Sequence, residues 1–347
     1  MTTTRRMVLL TDGASDPHTA KTAINILRYK PQEVVAVLDS TSAGRSAQET
    51  LGVGGAIPVV AALADAPGAN TLVIGIAPPG GRIPPHWKAI ILEAIRRKLD
   101  VVSGLHEFLR DDPDFVRAAE QSGARLVDVR DNQERDVSNR KGIREGCLRI
   151  HTIGHDCSCG KMLVAVEIAE GLKRAGVDAK FVATGQTGIM IEGDGCPVDR
   201  VISDFVNGAS EKLVLANQHH EVIVIEGQGT LFHPRYSCVT LGLLHGSIPD
   251  GLILCYDMGR KVVYAMEEFP VPPLDQVKDF YERAANIMHP CRVIGLAIDS
   301  HRFSAAEAAA ERRRVRQWLG LPACDVLRDG PKDLLEAVLE LRRELGK

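Results

Sequence analysis

Short β-branched runs alternate with stretches of helical periodicity along the whole chain, and that alternation restricts it to parallel α/β architectures. In the first half the apolar runs fall at 7–10, 34–38, 71–76, 101–102 and 125–129. Helical patterns cover 19–28 and 84–98, and another begins near Pro113; proline is tolerated at a helix start. The second half restarts the pattern, with strands expected at 148–153, 179–183, 222–225, 251–256 and 293–298. Its helices are expected at 161–174, 304–316 and 332–345. Strand–helix–strand units in series close with right-handed crossovers. The expectation is therefore α/β, with two doubly wound parallel-sheet domains spanning 1–145 and 146–347. The boundary is placed in the charged, almost apolar-free stretch 130–145, read as a linker or surface loop.

A length of 347 residues suits two domains of ordinary size. With 42 Lys+Arg against 45 Asp+Glu the net charge is -3, which lacks the basic excess of a nucleic-acid-binding protein. The 45% hydrophobic content argues against disorder. No apolar run approaches the ~20 residues of a membrane span. The opening MTTTRRMVLLTDG has too short an apolar run for a signal peptide and reads as the first strand. Eight scattered cysteines with no export signal point to a reduced, cytoplasmic protein rather than a disulfide framework. Only Cys157 and Cys159 are close enough to suggest a metal. No second Cys/His pair at a zinc-like spacing accompanies them, so no metal is expected. The partners expected are small-molecule substrates and further copies of the chain, with neither nucleic acid nor membrane.

The sharpest chemical signal is the run Gly154, His155, Asp156, Cys157, Ser158, Cys159, Gly160, Lys161, Met162, which leads from a strand into a helix. The backbone N–H groups of such a turn and the helix N-terminus form a cradle for phosphates, to which Lys161 would add a point charge. The spacing differs from the usual G-x-x-x-x-G-K-[ST], and Met162 stands where a hydroxyl would hold Mg²⁺. A second motif, Glu226-Gly-Gln-Gly229, places an acid at the end of a buried strand, where open α/β sheets bind ligands. A third strand end carries Thr184, Gln186 and Thr187. Beyond Glu226 come His233, Arg235 and Tyr236. An imidazole titrates near neutrality and suits a general base, and a guanidinium clamps a carboxylate bidentately. Asp257, Arg260 and Asp299 lie at the same sheet edge without motif spacing, and His219–His220 reads as a solvated turn at the opposite end.

The first half lacks a G-x-G-x-x-G fingerprint. Asp39, at the end of the second strand, stands where a ribose-binding acid would be, but a lone acid there reads first as structural. His18, Lys21 and the loop 78–82 are expected to contribute to a cleft.

These motifs resemble known families. The second half is similar to dethiobiotin-synthetase-like P-loop proteins, whose G-T-D-x-x-V-G-K-T aligns with Gly154–Met162 and whose V-E-G-x-G-G aligns with Ile225–Thr230. A nearly full-length resemblance is to a two-domain family long of unknown function, with a Rossmann-like N-terminal domain and an atypical P-loop NTPase-like C-terminal domain. The shared stretches are D-C-x-x-G-K (156–161), A-T-G-Q-T-G-I (183–189), D-F-V-x-G (204–208), E-G-Q-G (226–229), H-P-x-Y (233–236) and V-T-L-G-L-L-x-G-S-x-P-D (239–250). Some members resemble D-glutamate N-acetyltransferases. The resemblance implies transfer of an acetyl group from acetyl-CoA to the amino group of an acidic D-amino acid, with the donor's phosphates on Gly154–Met162. Glu226 or His233 would then serve as base, with Thr184, Gln186, Thr187, Arg235 and Tyr236 around the substrate.

Two other readings compete. One is an ATP-dependent ligase or kinase using Mg·ATP, with Asp156 and Glu226 on the metal; the other is a non-catalytic nucleotide-binding sensor. Met162 separates the first of these from acyl transfer, because a thioether is a poor partner for a hard cation that wants oxygen. Turnover of acetyl-CoA with D-glutamate should accordingly persist in EDTA, read as thiol release, and loss of that release on chelation would restore a metal-dependent mechanism.

Overall fold

The computed structural model describes residues 5–17, 19–78 and 80–347. The chain forms two compact units, one of 1–131 with 189–193 and one of 132–188 with 194–347.

The first unit is built on six parallel strands: β1 (Met7–Leu10), β2 (Val34–Leu38), β3 (Val59–Val60), β4 (Thr71–Ile74), β5 (Asp100–Ser103) and β6 (Leu126–Asp128). Their order, β3-β2-β1-β4-β5-β6, is that of a Rossmann sheet. Helices α1 (Lys21–Tyr29), α2 (Ala47–Leu51), α3 (Lys88–Arg96) and α4 (Pro113–Ser122) connect them. The interior strands are buried from end to end, as a sheet covered on both faces requires. Local signals set the helix ends. Asp112 caps α4 through the N–H of Asp114, Pro113 opens it, and Gly123 closes it at a φ of 79°.

The second unit carries β7 (Leu148–Gly154), β8 (Ala179–Val182), β9 (Val222–Ile225), β10 (Gly251–Asp257), a hairpin of β11 (Val262–Val263) and β12 (Met266–Pro270), then β13 (Arg292–Asp299) and β14 (Ala323–Cys324). Its helices are α5 (Lys161–Arg174), the first residues of α6 (Gln186–Glu192), whose part from Ile189 belongs to the first unit, α7 (Val206–Asn217), α8 (Ser237–Ser247), α9 (Leu274–Asn286), α10 (Ala305–Leu319) and α11 (Lys332–Glu344). The parallel sheet runs β14-β13-β10-β7-β9-β8, so β7 lies between β10 and β9. Register pairs Gly154 with Cys255, His151 with Ile225, and Asp257 with Asp299. The C-terminal ends of the central strands therefore share one edge, where all the motif residues after β7 and β9 emerge. Among the described residues no helix is long and apolar enough to cross a membrane, and none of the eight cysteines is disulfide-bonded.

The stretch from Asn132 to Cys147 has no regular structure, as its composition suggests, yet it is pinned rather than loose. Buried Glu211 of α7 accepts from the hydroxyl of Ser138 and from the N–H groups of Asn139 and Arg140. Arg140 in turn donates to the carbonyl of His245. A Cβ on Gly208 would stand 1.9 Å from the Asp136 carbonyl oxygen, so only glycine lets this strap lie against α7. Glu211→Ala should lower stability by about 2–4 kcal/mol, because it strands several donors that one carboxylate satisfies. Urea unfolding and limited proteolysis between 134 and 145 measure it; an unchanged midpoint and cleavage rate would mean the strap is not held by Glu211.

Candidate functional site

At the end of β7 the chain turns through residues 155–160 before α5 begins. Asp156 is fully buried. Its Oδ1 accepts from the N–H of Cys157 at 2.7 Å, and its Oδ2 accepts from Arg260 Nη1 at 3.0 Å and from the N–H of Tyr264 at 2.6 Å. Arg260 also donates to the carbonyls of Cys157 (2.5 Å) and Ser158 (3.2 Å). Its charge is balanced by Asp257, which accepts from Nε and Nη2. In a trans peptide the carbonyl and the following N–H point in opposite directions. With the oxygens of Cys157 and Ser158 on Arg260, the N–H groups of Ser158 and Cys159 are turned away from it. Left-handed backbone at Ser158 (φ 49°) and Gly160 (φ 86°) produces this curl, which, next to the N-terminus of α5, is receptive to an anion.

Lys161 lies differently from expectation. It is buried, and its ammonium is drawn back onto the Asp156 carbonyl at 2.7 Å rather than held out as a point charge on an exposed turn. His155 is buried too; its Nε2 accepts from the N–H of Asp257 and its ring packs edge-on to Tyr256. Burial pushes its pKa down to about 3, with Arg260 and Lys161 adding to the effect, so the ring is a neutral strut. Cys159 is buried with its thiol towards the carbonyls of Asp156 and Cys255, whereas Cys157 is half-buried. Met162 is half-buried.

Glu226, at the end of β9, is 4% exposed. Its Oε2 accepts from the N–H groups of Thr184 (2.9 Å) and Gly185 (3.0 Å). Thr184 returns its hydroxyl to the Glu226 carbonyl, and Gln228 donates to that hydroxyl. Burial pushes the carboxyl pKa up to about 7, opposed by the two backbone N–H groups and Gln228. Close packing explains the glycines. A Cβ on Gly188 would stand 2.4 Å from Glu226 Oε2, and one on Gly227 would stand 1.7 Å from the Thr152 carbonyl and 3.0 Å from Lys161 Cδ. Glu226 and the Gly154–Lys161 turn are thus neighbours. The amides of Thr184 and Gly185 are thereby engaged by Glu226. Thr187 is buried and Gln186 half-buried at the start of α6.

His233 is 1% exposed. Its Nε2 lies 3.1 Å from the Tyr264 carbonyl, which can only accept, so the proton sits on Nε2. Nδ1 is the lone-pair nitrogen and receives the N–H of Arg235 at 3.2 Å. Asp156, Cys157 and His233 each offer a ligand atom within 4.8 Å of the others. The Cys157/Cys159 pair singled out by spacing is not this cluster, because the two thiols face different surroundings. Arg235 and Tyr236 are exposed, the Tyr236 ring packing tilted against the His233 ring at 4.5 Å.

Sequence reasoning missed Tyr281. It is fully buried on α9, its hydroxyl 3.1 Å from the Gly154 carbonyl and 3.2 Å from Thr230 Oγ1, while accepting from the N–H of Leu231. A tyrosine inside an amphipathic helix carries no motif by which to find it. His220 pairs with Asp178 at the far end of β9, away from the site.

In the first unit Asp39 is buried and accepts from Ser15, Thr41 and the N–H of Gly13, a set of partners that suits a structural acid. Lys21 opens α1, and the Gly81 carbonyl accepts from His106 and Glu107. His18 and Pro79 lie outside the described residues.

Residues 136–335 match a domain of unknown function described as the DUF1611_C P-loop domain, and residues 40–132 match the DUF1611_N Rossmann-like domain. A protein of Tritonibacter scottomollicae named D-glutamate N-acetyltransferase is 36% identical over 333 residues, covering 95% of this chain and 97% of its own. A protein of the same name from Pseudoalteromonas sp is 35% identical over 264 residues, 76% of this chain and 79% of its own. The crystal structure of a DUF1611 family protein from Anabaena variabilis superposes with a TM-score of 0.92 at 34% identity, covering 97% of this chain and 99% of that one.

Glu226 makes stability depend on pH. Its carboxyl ionises near 4.5 when unfolded and near 7 when folded. Its contribution is therefore complete below about pH 4.5 and is lost as pH rises through 7. Between pH 5 and 8 the native protein should lose about 2–3 kcal/mol more than Glu226→Gln, which cannot ionise. Urea midpoints at the two pH values test this; equal losses would mean the buried carboxyl titrates normally.

Proposed function

We propose, from the premise that the chain belongs to the DUF1611 family, that it is an N-acetyltransferase moving an acetyl group from acetyl-CoA to the amino group of an acidic D-amino acid, with D-glutamate the first candidate. The names of two relatives at 35% and 36% identity support the reaction class. The observation that carries the site assignment is Glu226, a buried carboxyl with a pKa of about 7 beside an anion-receptive turn.

An ammonium is no nucleophile. The acceptor must lose a proton before its nitrogen can attack the thioester, and a base works best when its pKa lies near the operating pH. Glu226 meets that condition through burial. The carbonyl oxygen of the thioester gains charge in the tetrahedral intermediate and needs preorganised donors. The N–H groups of Ser158 and Cys159, turned away from Arg260, are the available pair. The sequence reading assigns the same turn to the donor's phosphates. A long pantetheine arm separates the diphosphate of acetyl-CoA from its thioester, and Glu226 adjoins the turn. An extended donor cannot put both ends there, so we assign the turn to the reacting acyl group and place the phosphates an arm's length away. The Mg·ATP reading needs Asp156 as a metal ligand, but both of its oxygens are taken by N–H donors and a guanidinium.

The test is thiol release from acetyl-CoA with D-glutamate, L-glutamate and neutral D-amino acids. D-glutamate should be the best acceptor, and kcat/KM should rise with pH through a group near 7. Glu226→Gln should lower kcat by about 10²–10⁴-fold. ADP formation from Mg·ATP without thiol release would replace this reading with the ligase.

A further inference from the structure

We propose that Cys157 carries the acetyl group as a thioester between donor and acceptor, with His233 as the base that takes its proton. The proposal rests on the N-acetyltransferase reading and adds a covalent intermediate to it.

Six of the eight cysteines are buried and Cys238 is exposed; Cys157 alone is half-buried, and it stands in the strand–turn–helix at the shared sheet edge. Its thiol, a nitrogen of His233 and an oxygen of Asp156 lie within 4.8 Å of one another. The Nε2–H of His233 is held by the Tyr264 carbonyl, which fixes the tautomer; Nδ1 carries the lone pair, and to take the thiol proton it gives up the 3.2 Å bond it accepts from the N–H of Arg235. This is the arrangement of an activated nucleophile, a base oriented by a third group.

The same three groups could in principle hold zinc. The charges around them decide against it. Arg260 bonds the carbonyl of Cys157 and the carboxylate of Asp156, and Lys161 bonds the carbonyl of Asp156. Both Asp156 oxygens are already engaged by Arg260 and by the N–H groups of Cys157 and Tyr264 rather than open to a metal, while the two cations beside Cys157 favour its thiolate, which is the reactive form of cysteine. The N–H groups of Ser158 and Cys159 follow directly in the chain and are aimed away from Arg260, as oxyanion donors must be if the acyl carbon is bound at Cys157.

The chemistry balances without a further reagent. The Cys157 thiolate attacks the acetyl carbon, the bond from that carbon to the coenzyme A sulfur breaks, and coenzyme A leaves with the proton from His233. The neutral amine then attacks acetyl-Cys157, the carbon–sulfur bond breaks, and the thiolate is restored as the amine's remaining extra proton passes to Glu226 or His233.

The experiment uses the full chain carrying Cys238→Ser, which removes the exposed thiol. With labelled acetyl-CoA and no amine, one acetyl group should be trapped on the peptide bearing Cys157 and be released by hydroxylamine. Label should exchange between coenzyme A and acetyl-CoA in the absence of D-glutamate. Cys157→Ala should lower turnover by about 10³-fold or more while the urea midpoint stays near that of the parent; if that variant fails to fold, trapping and exchange in the parent chain decide. Turnover with neither trapped acetyl nor exchange would overturn the intermediate and leave direct transfer, with the acetyltransferase reading intact. Stoichiometric zinc that is lost in Cys157→Ser, without acetyl capture, would overturn it in favour of a metal site. Absence of thiol release with every amine tried would overturn the intermediate together with the reading beneath it.

Discussion

The candidate site depends on one buried carboxylate. Asp156 has no exposed surface, and a charge taken out of water persists only where its lone pairs are satisfied. Three N–H donors do this: its own neighbour's amide, the amide of Tyr264 from the hairpin, and Arg260. Arg260 is paired with Asp257, which also receives Arg302. The resulting chain of two carboxylates and two guanidiniums joins the turn after β7 to the ends of β10 and β13. Removing Arg260 would take a cation from both acids at once, leaving Asp257 with Arg302 and Asp156 with two amides and no counter-charge, and truncating one partner of a buried pair costs far more than the pair contributes net. The turn's shape is thus set by charges outside it.

A second constraint is how closely β7 and β9 approach at their ends. The Thr152 hydroxyl accepts from the N–H of Gly227 and donates to the Ile225 carbonyl at 3.4 Å. Gly227 fits because any Cβ would meet the Thr152 backbone. Gly185 and Gly188 admit Glu226 in the same way, since a side chain at either would occupy the space of Gln228 or of the carboxyl itself. The elevated pKa of Glu226 follows from this packing: the glycines close water out, while two amides supply fewer donors than the bulk solvent they replace.

Much of this was legible in the sequence. The runs that became β1, β2 and β9 are continuous apolar stretches, β2 and β9 rich in valine and isoleucine, which is how a strand buried on both faces reads, and β7 and β10 hold shorter apolar runs. The three motif loops do emerge at one edge, because parallel strands in a doubly wound sheet all end on the same side. Other elements left no periodic signal. β3 and β14 have two residues each, α2 has five, and the hairpin β11–β12 is largely exposed, so none is long enough to establish a period. The strap after Asn132 reads as a linker because its anchor is Glu211, more than seventy residues away, rather than any apolar residue of its own. Arg260 lies at the expected edge, but nothing in its local sequence says that its guanidinium reaches back a hundred residues to the turn. Lys161 misled for the opposite reason. The Gly-Lys pair suggests an outstretched ammonium, while its position depends on a carbonyl that only the folded turn presents.

The departure from the usual phosphate-loop spacing then has a physical sense. Where such loops hydrolyse nucleotides, a hydroxyl after the lysine holds Mg²⁺, and the metal supplies positive charge that arrives and leaves with the nucleotide. Here Met162 offers no oxygen, and Arg260 supplies the charge permanently from the protein. A guanidinium does not lose its proton at accessible pH, and its planar fork can hold two carbonyls and two carboxylates in one orientation. That geometry directs consecutive carbonyls towards Arg260 and their following amides away from it. A turn with a fixed cation behind it and two aligned amides in front is receptive to negative charge without the hydroxyl that usually holds a metal, and in the acyl transfer proposed above that charge is the one that develops on the thiol and on the tetrahedral oxyanion.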